Sequence, residues 1–135
     1  MIVLDAAALV DVVIDQRAKD WVLDQLSGQE ICAPAHQPAE VLSALSRLRR
    51  SGILDRDGEL MALDEATSLD QELVLPTALH LRQSAQMSDR IRVVDGLYVA
   101  LAQDRGVALV TTDRRLGASG APCEVRIPPE AQAPQ

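Results

Sequence analysis

Four acidic residues stand where chemistry could be done: Asp5, Glu40, Asp95 and Asp113. Asp5 ends a short apolar run, Ile2-Val3-Leu4, and Asp113 ends another, Val107 to Thr111. Asp95 stands at the mouth of an apolar helical stretch, and Glu40 in the first turns of one that follows Pro38. If the fold brings them together, four carboxylates cannot all stay ionised without compensation, so they hold protons or cations. Oxygen-only donors suit hard ions such as Mg²⁺ or Mn²⁺. Such an ion lowers the pKa of a bound water, orients a phosphate and stabilises charge on a leaving oxygen. Phosphodiester hydrolysis uses all three effects. The residue types therefore point to metal-assisted phosphoryl chemistry and do not choose a substrate.

Simpler explanations exist for single members of this set. An Asp at a helix start caps free N–H groups or complements the helix dipole. That explains Asp95 well and Asp5 and Asp113 in part. It does not explain Glu40, a charged residue between Ala39 and Val41 on an apolar helix. Cys32 and His36 are four residues apart, but a lone pair of this kind is more often structural than a zinc site. His80 stands alone and reads as a surface residue.

The elements that must position these carboxylates are legible from periodicity. Short apolar runs at 2–4, 30–33, 73–75, 107–111 and 123–125 read as strands. Between them lie helical patterns: Leu9 to Ile14; Lys19 to Ser27-Gly28; Pro38 to Ser51-Gly52 with Val41, Leu42, Leu45 and Leu48; one opened by Asp57-Gly58; 77–87; and Asp95 to Gly106. A short helical turn is expected at 114–116. Strands alternating with helices predict an α/β fold, a three-layer α/β/α sandwich around a mostly parallel sheet of about five strands. In such sheets, function collects beyond the carboxyl ends of the strands, which is where the four acids fall.

The chain has 135 residues, the size of one domain. The domain is expected over 1–127, and the tail 128–135, with three prolines and no periodicity, is expected to be disordered. The core must be aliphatic, because there is no Phe, one Trp and one Tyr. The formal net charge of −7 runs against a nucleic-acid binder. A metal-binding carboxylate cluster reconciles the two, since the cation reverses the local sign. The basic residues are almost all Arg, suited to bidentate phosphate contact; Arg47, Arg49 and Arg50 cluster, as do Arg114 and Arg115. Those clusters read equally well as solvated helix faces. Cys32 and Cys123 read as buried free thiols. No apolar run approaches the roughly 18 residues that span a bilayer, so no membrane contact and a cytoplasmic location are expected.

The residues around the acids resemble a known family. Met1 to Val10 (MIVLDAAALV) resembles the opening of PIN-domain proteins of the VapC toxin type. Pro38 to Leu45 (PAEVLSAL), Asp95 to Ala102 (DGLYVALA) and Leu109 to Leu116 (LVTTDRRL) resemble, in order, their second, third and fourth acidic motifs. The resemblance runs over about residues 1 to 127, and the last two motifs together are its most specific part. It implies the three-layer fold and a Mg²⁺- or Mn²⁺-dependent endoribonuclease. Asp5, Glu40 and Asp95 match the most regular acidic positions, and Asp113 the more variable fourth. Asp5 and Asp95 would be the principal metal ligands. Glu40 would be a ligand, directly or through water, or would orient the attacking water; Asp113 would complete the acidic shell. Thr111 or Thr112 matches a supporting hydroxyl position. An antitoxin protein and a homodimer are the implied partners. Arg47, about two turns beyond Glu40, is expected to meet an RNA phosphate or an antitoxin carboxylate.

Other families fit less well. A haloacid-dehalogenase-type phosphatase needs a second Asp two residues after the first, where this chain has Ala7. A receiver domain needs a Lys after its last strand, and the single Lys here is Lys19. A PIN-like domain that acts only as a binding or regulatory module is the remaining alternative.

Overall fold

Ile2, Val3 and Leu4 form β1 (Ile2–Leu4), and all three are at most 1% exposed. Successive strand side chains point to opposite faces, so a strand buried throughout is covered on both sides. The structure, a computed structural model, describes residues 1–130. In it, β1 is the centre of a five-stranded sheet with β2 (Ile31–Pro34), β3 (Glu72–Val74), β4 (Ala108–Val110) and β5 (Val125–Arg126). The strand order is β3-β2-β1-β4-β5, and every neighbouring pair is parallel. The helices are α1 (Ala6–Val13), α2 (Lys19–Leu26), α3 (Gln37–Arg50), α4 (Arg56–Thr67), α5 (Ala78–Gln86), α6 (Val93–Arg105) and α7 (Arg114–Gly117). Helices α1 to α4 pack against one another, whereas α6 lies on β1, β2 and β4 and carries α5. The expected α/β sandwich around a parallel sheet is the architecture found.

Local chemistry explains the element ends. Gly106 adopts a left-handed conformation (φ 63°) that closes α6, and the Val107 N–H donates to the Ala102 carbonyl as the chain turns into β4. Buried Gln37, at the start of α3, donates through Nε2 to the Leu4 carbonyl at 3.1 Å. That bond ties the first turn of α3 to the end of β1. Glu59 on α4 is 2% exposed and accepts from Ser46 at 2.8 Å and Arg49 at 3.0 Å, which fastens α4 to α3.

Several expectations need correction. The Asp57 helix starts earlier, because Asp55 is its N-cap and accepts from the Gly58 N–H at 2.7 Å. The helix expected to open at Asp95 begins at Val93, which places Asp95 in its first turn instead of at its cap. His80 is not a surface residue. It is 3% exposed, closes a capping box with Thr77, and lies 3.0 Å from Asp104 through Nε2. Cys32 is buried as expected, but Cys123 is only half-buried; both thiols are free. Of the expected tail, Pro128 is buried and its carbonyl accepts from Arg114 at 3.0 Å, while residues 131–135 lie outside the described residues.

Gly96 carries a testable consequence of the α5–α6 packing. A Cβ there would stand 2.5 Å from Ser84 Oγ and 3.2 Å from Ser84 Cα, which belongs to the backbone of α5. The helix-propensity gain of Gly→Ala, about 1 kcal/mol, is opposed by this clash and by the loss of the Ser84 hydroxyl bond to the Val93 carbonyl. Gly96→Ala is expected to lower stability by about 1–2 kcal/mol net. A urea melt showing equal or higher stability would contradict the packing described.

Candidate active site

The strand order reverses between β1 and β4, and a crevice opens there beyond their carboxyl ends. The parallel register pairs Leu4 with Val110, so the next residues, Asp5 and Thr111, come side by side. The Asp5 N–H continues the ladder by donating to the Val110 carbonyl at 3.0 Å. Thr111 is fully buried, and its hydroxyl donates to Asp5 Oδ2 at 2.5 Å while accepting from the Asp113 N–H at 3.0 Å. One threonine thus holds two of the four acidic residues. Asp113 also caps α7, accepting from the Arg115 N–H at 2.9 Å.

Asp5 is 5% exposed, and its carboxyl is pushed up to about 7. Burial is the main cause, with further pressure from the charges of Asp95, Glu40 and Asp113; the Thr111 hydroxyl opposes the shift. Glu40 behaves in the opposite sense. Burial raises it, but contacts from His36 and Tyr98 prevail and hold its carboxyl below the usual value. The Tyr98 hydroxyl donates to Glu40 Oε1 at 2.8 Å. His36 Nε2 lies 3.1 Å from the same oxygen but out of line for a hydrogen bond, and its ring packs edge-on against Tyr98 at 5.1 Å. Burial, followed by the Asp5 and Glu40 charges, pushes the Tyr98 phenol up, so it remains a protonated donor. Asp95 is 9% exposed and is gripped by Arg92, with Nε on Oδ2 at 3.0 Å and Nη2 on Oδ1 at 3.2 Å.

All four acidic residues line one cavity of about 580 Å³. Arg47, Arg92 and Arg115 border it, and Val10, Ile14, Leu48 and Ile53 line an apolar part of it. Arg47 is exposed and makes no ion pair among the described residues. Thr112 is buried, and its side chain is a neighbour of Asp11; no hydrogen bond from it to any of the four is found among the described residues. Asp11 is a fifth carboxylate on the cavity wall; burial raises its pKa against a Thr112 hydrogen bond, and its Oδ2 has no partner among the described residues.

Sequence reasoning missed Asp11, Gln37, His36 as a Glu40 neighbour, Tyr98 and Arg92. Tyr98 and Arg92 stand three residues from Asp95 on either side, a spacing that puts side chains on one helix face and could have singled them out. Gln37 carries no comparable signal.

The donor chemistry fits a hard divalent ion: oxygen ligands only, and a carboxyl pushed up to about 7 by burial and by the neighbouring carboxylates. Among the described residues, no three acidic, His or Cys side chains close on a common point at ligand distance. Each of the four carboxylates is instead turned onto a protein donor: Asp5 onto Thr111, Glu40 onto Tyr98, Asp95 onto Arg92 and Asp113 onto the Arg115 N–H.

Comparison with known proteins shows the family. The PIN domain model matches residues 2–119. Ribonuclease VapC3 of Mycobacterium tuberculosis is 37% identical over 123 residues, covering 85% of this chain and 84% of the relative. Ribonuclease VapC12 of the same organism is 37% identical over 120 residues, covering 88% and 92%. The toxin–antitoxin complex from Klebsiella pneumoniae superposes with a TM-score of 0.70 at 17% identity, covering 96% of this chain and 99% of that one. A PIN domain match over residues 2–119, together with relatives 37% identical over most of both chains, makes this protein a member of the PIN-domain family, with relatives of the VapC type.

Proposed function

We propose that this protein is a Mg²⁺- or Mn²⁺-dependent endoribonuclease and the toxin of a toxin–antitoxin pair. The observation that carries this reading is the gathering of Asp5, Glu40, Asp95 and Asp113, from four separate parts of the chain, on one cavity at the switch point of the sheet. The relatives named as ribonucleases support RNA as the substrate, and the likeness to a toxin–antitoxin complex supports an antitoxin partner. Exposed Leu60 and Met61 on α4 and Leu79 and Leu81 on α5 offer apolar surface for a second copy, in keeping with a homodimer. No helix among the described residues is long and apolar enough to cross a membrane, and we place the protein in the cytoplasm.

Asp5 and Asp95 are the principal ligands of the ion in this reading, with Asp113 completing the acidic shell. When bound, the ion supplies an activated water and offsets charge on the phosphate. The chain's own residues prepare the rest. Thr111 fixes the Asp5 carboxylate and the Asp113 backbone together. Tyr98 fixes Glu40 and, together with His36, holds its carboxyl below the usual value. A carboxylate held below its usual value suits orienting a water by accepting its hydrogen bond.

Arg47 borders the cavity as a cation free of ion pairs among the described residues, placed to meet a phosphate or an antitoxin carboxylate. Arg47→Ala is expected to lower kcat/KM on RNA by about tenfold or to weaken antitoxin inhibition to a similar degree. If neither changes, Arg47 has no part in recognition.

The test of the whole reading is cleavage of a mixed RNA pool with Mg²⁺ or Mn²⁺, with EDTA and Asp5→Asn as controls. Metal-dependent cutting lost in both controls is the expected result. No cutting by pure, folded, antitoxin-free protein would favour a PIN-like module that acts only by binding. The grip of Arg92 on Asp95 is the observation on the side of that alternative.

A further inference from the structure

Beside the main cavity lies a smaller one of about 160 Å³, lined by Arg90, Arg92 and Arg115 together with Ile91, Leu116 and Ser119. Arg92, Asp95, Asp113 and Arg115 form the wall shared with the main cavity, and Arg90 belongs to the smaller one alone. In a chain of net charge −7, three guanidinium groups against two carboxylates leave this small pocket with a positive surplus.

Each of the three keeps donor capacity. Arg90 is exposed and makes no ion pair among the described residues. The Arg115 side chain is 85% exposed, with a single 3.5 Å contact from Nε to Asp113. Arg92 spends Nε and Nη2 on Asp95, which leaves Nη1 for another partner. Arg92 also occupies the N-cap of α6 without any side-chain cap bond, a position where Ser, Thr, Asp or Asn is favoured.

We propose that this pocket is a phosphate subsite for the RNA strand, holding a backbone phosphate next to the one cleaved. The inference rests on the ribonuclease reading above. Its room suits a phosphate group with a few waters, each of which takes about 30 Å³ in the liquid. A phosphate here accepts from Arg90, Arg115 and Arg92 Nη1, while Arg92 stays on Asp95. The same guanidinium then sets the distance between the bound phosphate and the carboxylates. A strand anchored in this way crosses the shared wall, and its next phosphodiester lies over Asp95 and Asp113. The contacts are to backbone phosphate, so they place the strand without reading its bases.

The test is binding of a fluorescently labelled, mixed-sequence single-stranded RNA pool in EDTA, read by anisotropy over a range of salt. Each phosphate contact contributes about 0.7 to the slope of log K against log salt for single strands. Arg90→Gln and Arg115→Gln, both at exposed side chains, are each expected to remove part of one such contribution, and the triple variant with Arg92→Gln to reduce the slope by about 0.7, the share of one phosphate. Arg82→Gln, at an exposed residue lining neither cavity, is expected to leave it unchanged. Thermal melts confirm that each variant is folded. Slopes unchanged in the single and triple variants, with a wild type that binds and cuts RNA, overturn the subsite and leave the nuclease standing. A wild type that neither binds the pool nor cuts it with Mn²⁺ overturns both.

Discussion

Asp5→Asn is expected to reduce RNA cleavage by about three orders of magnitude or more and, in the same protein, to raise stability above pH 7. The two effects share one cause. The Asp5 carboxyl is buried, faces three other carboxylates, and has its proton affinity pushed up to about 7. Between about pH 4 and pH 7 the folded protein holds a proton that the unfolded chain has released. Wild-type stability therefore falls as pH rises through that window and levels off above it. A shift of about three pKa units at about 1.4 kcal/mol each sets the scale of the loss at a few kcal/mol. Asn has the same shape, still accepts from Thr111, and has no proton to lose. Its advantage is absent near pH 4 and full above pH 7. Denaturant melts of both proteins from pH 4 to 9 in EDTA measure it. A variant that is no more stable than wild type at pH 8 would show that Asp5 carries no such penalty. A variant that cuts RNA as wild type does would remove Asp5 from the chemistry.

Mn²⁺ is expected to stabilise the wild type without any RNA present. An ion that binds only the folded state adds RT ln(1 + [L]/Kd), about 2.7 kcal/mol at a hundredfold excess over Kd. For a chain of this length that is roughly 8 °C in Tm. The gain should shrink below pH 7, because the ion must displace the Asp5 proton. EDTA should reverse it, and Asp5→Asn and Asp95→Asn should abolish it. Equal stabilisation of wild type and Asp5→Asn would mean that the ion binds somewhere else. No stabilisation at pH 8 would mean that the carboxylates do not hold a cation without substrate, which the grip of Arg92 on Asp95 would then explain.

Much of the site was readable as spacing. Asp5 and Asp113 each follow an apolar run that proved to lead into the sheet's carboxyl edge, and Glu40 was conspicuous because a charge on an apolar helix needs a reason. For Asp95 the capping half of the simpler explanation fell, because α6 starts at Val93, while the dipole half stands: Asp95 lies in the first turn of α6, where it also pairs with Arg92. For Asp113 the same explanation holds alongside the functional one, since its side chain does cap α7. His36 was weighed only against Cys32. The structure puts it beside Glu40, one turn along α3, whereas Cys32 points into the sheet, where its thiol meets the Ile2 carbonyl at 3.5 Å. His80 failed for a related reason: whether a lone imidazole is buried depends on what packs over it, and here Thr77 and Asp104 do.

Periodicity, helix stops and the order of strands and helices are local properties, set by propensity and by which side chains must leave water within a few residues. They were enough to establish the α/β class, the parallel sheet and the edge on which the acids fall. The working parts of the site are contacts between residues far apart in the chain. Thr111 reaches Asp5 across 106 positions because β1 and β4 are neighbours in register. Tyr98 reaches Glu40 across 58 because α3 and α6 both meet the sheet near β1: Gln37 bonds the Leu4 carbonyl, and α6 lies on β1. Strand order and register are decided by which arrangement buries the most apolar surface at once over the whole chain. No window of local sequence contains that comparison, so the partners of the four carboxylates, and the shift of Asp5 to about 7, appear only when the chain is folded.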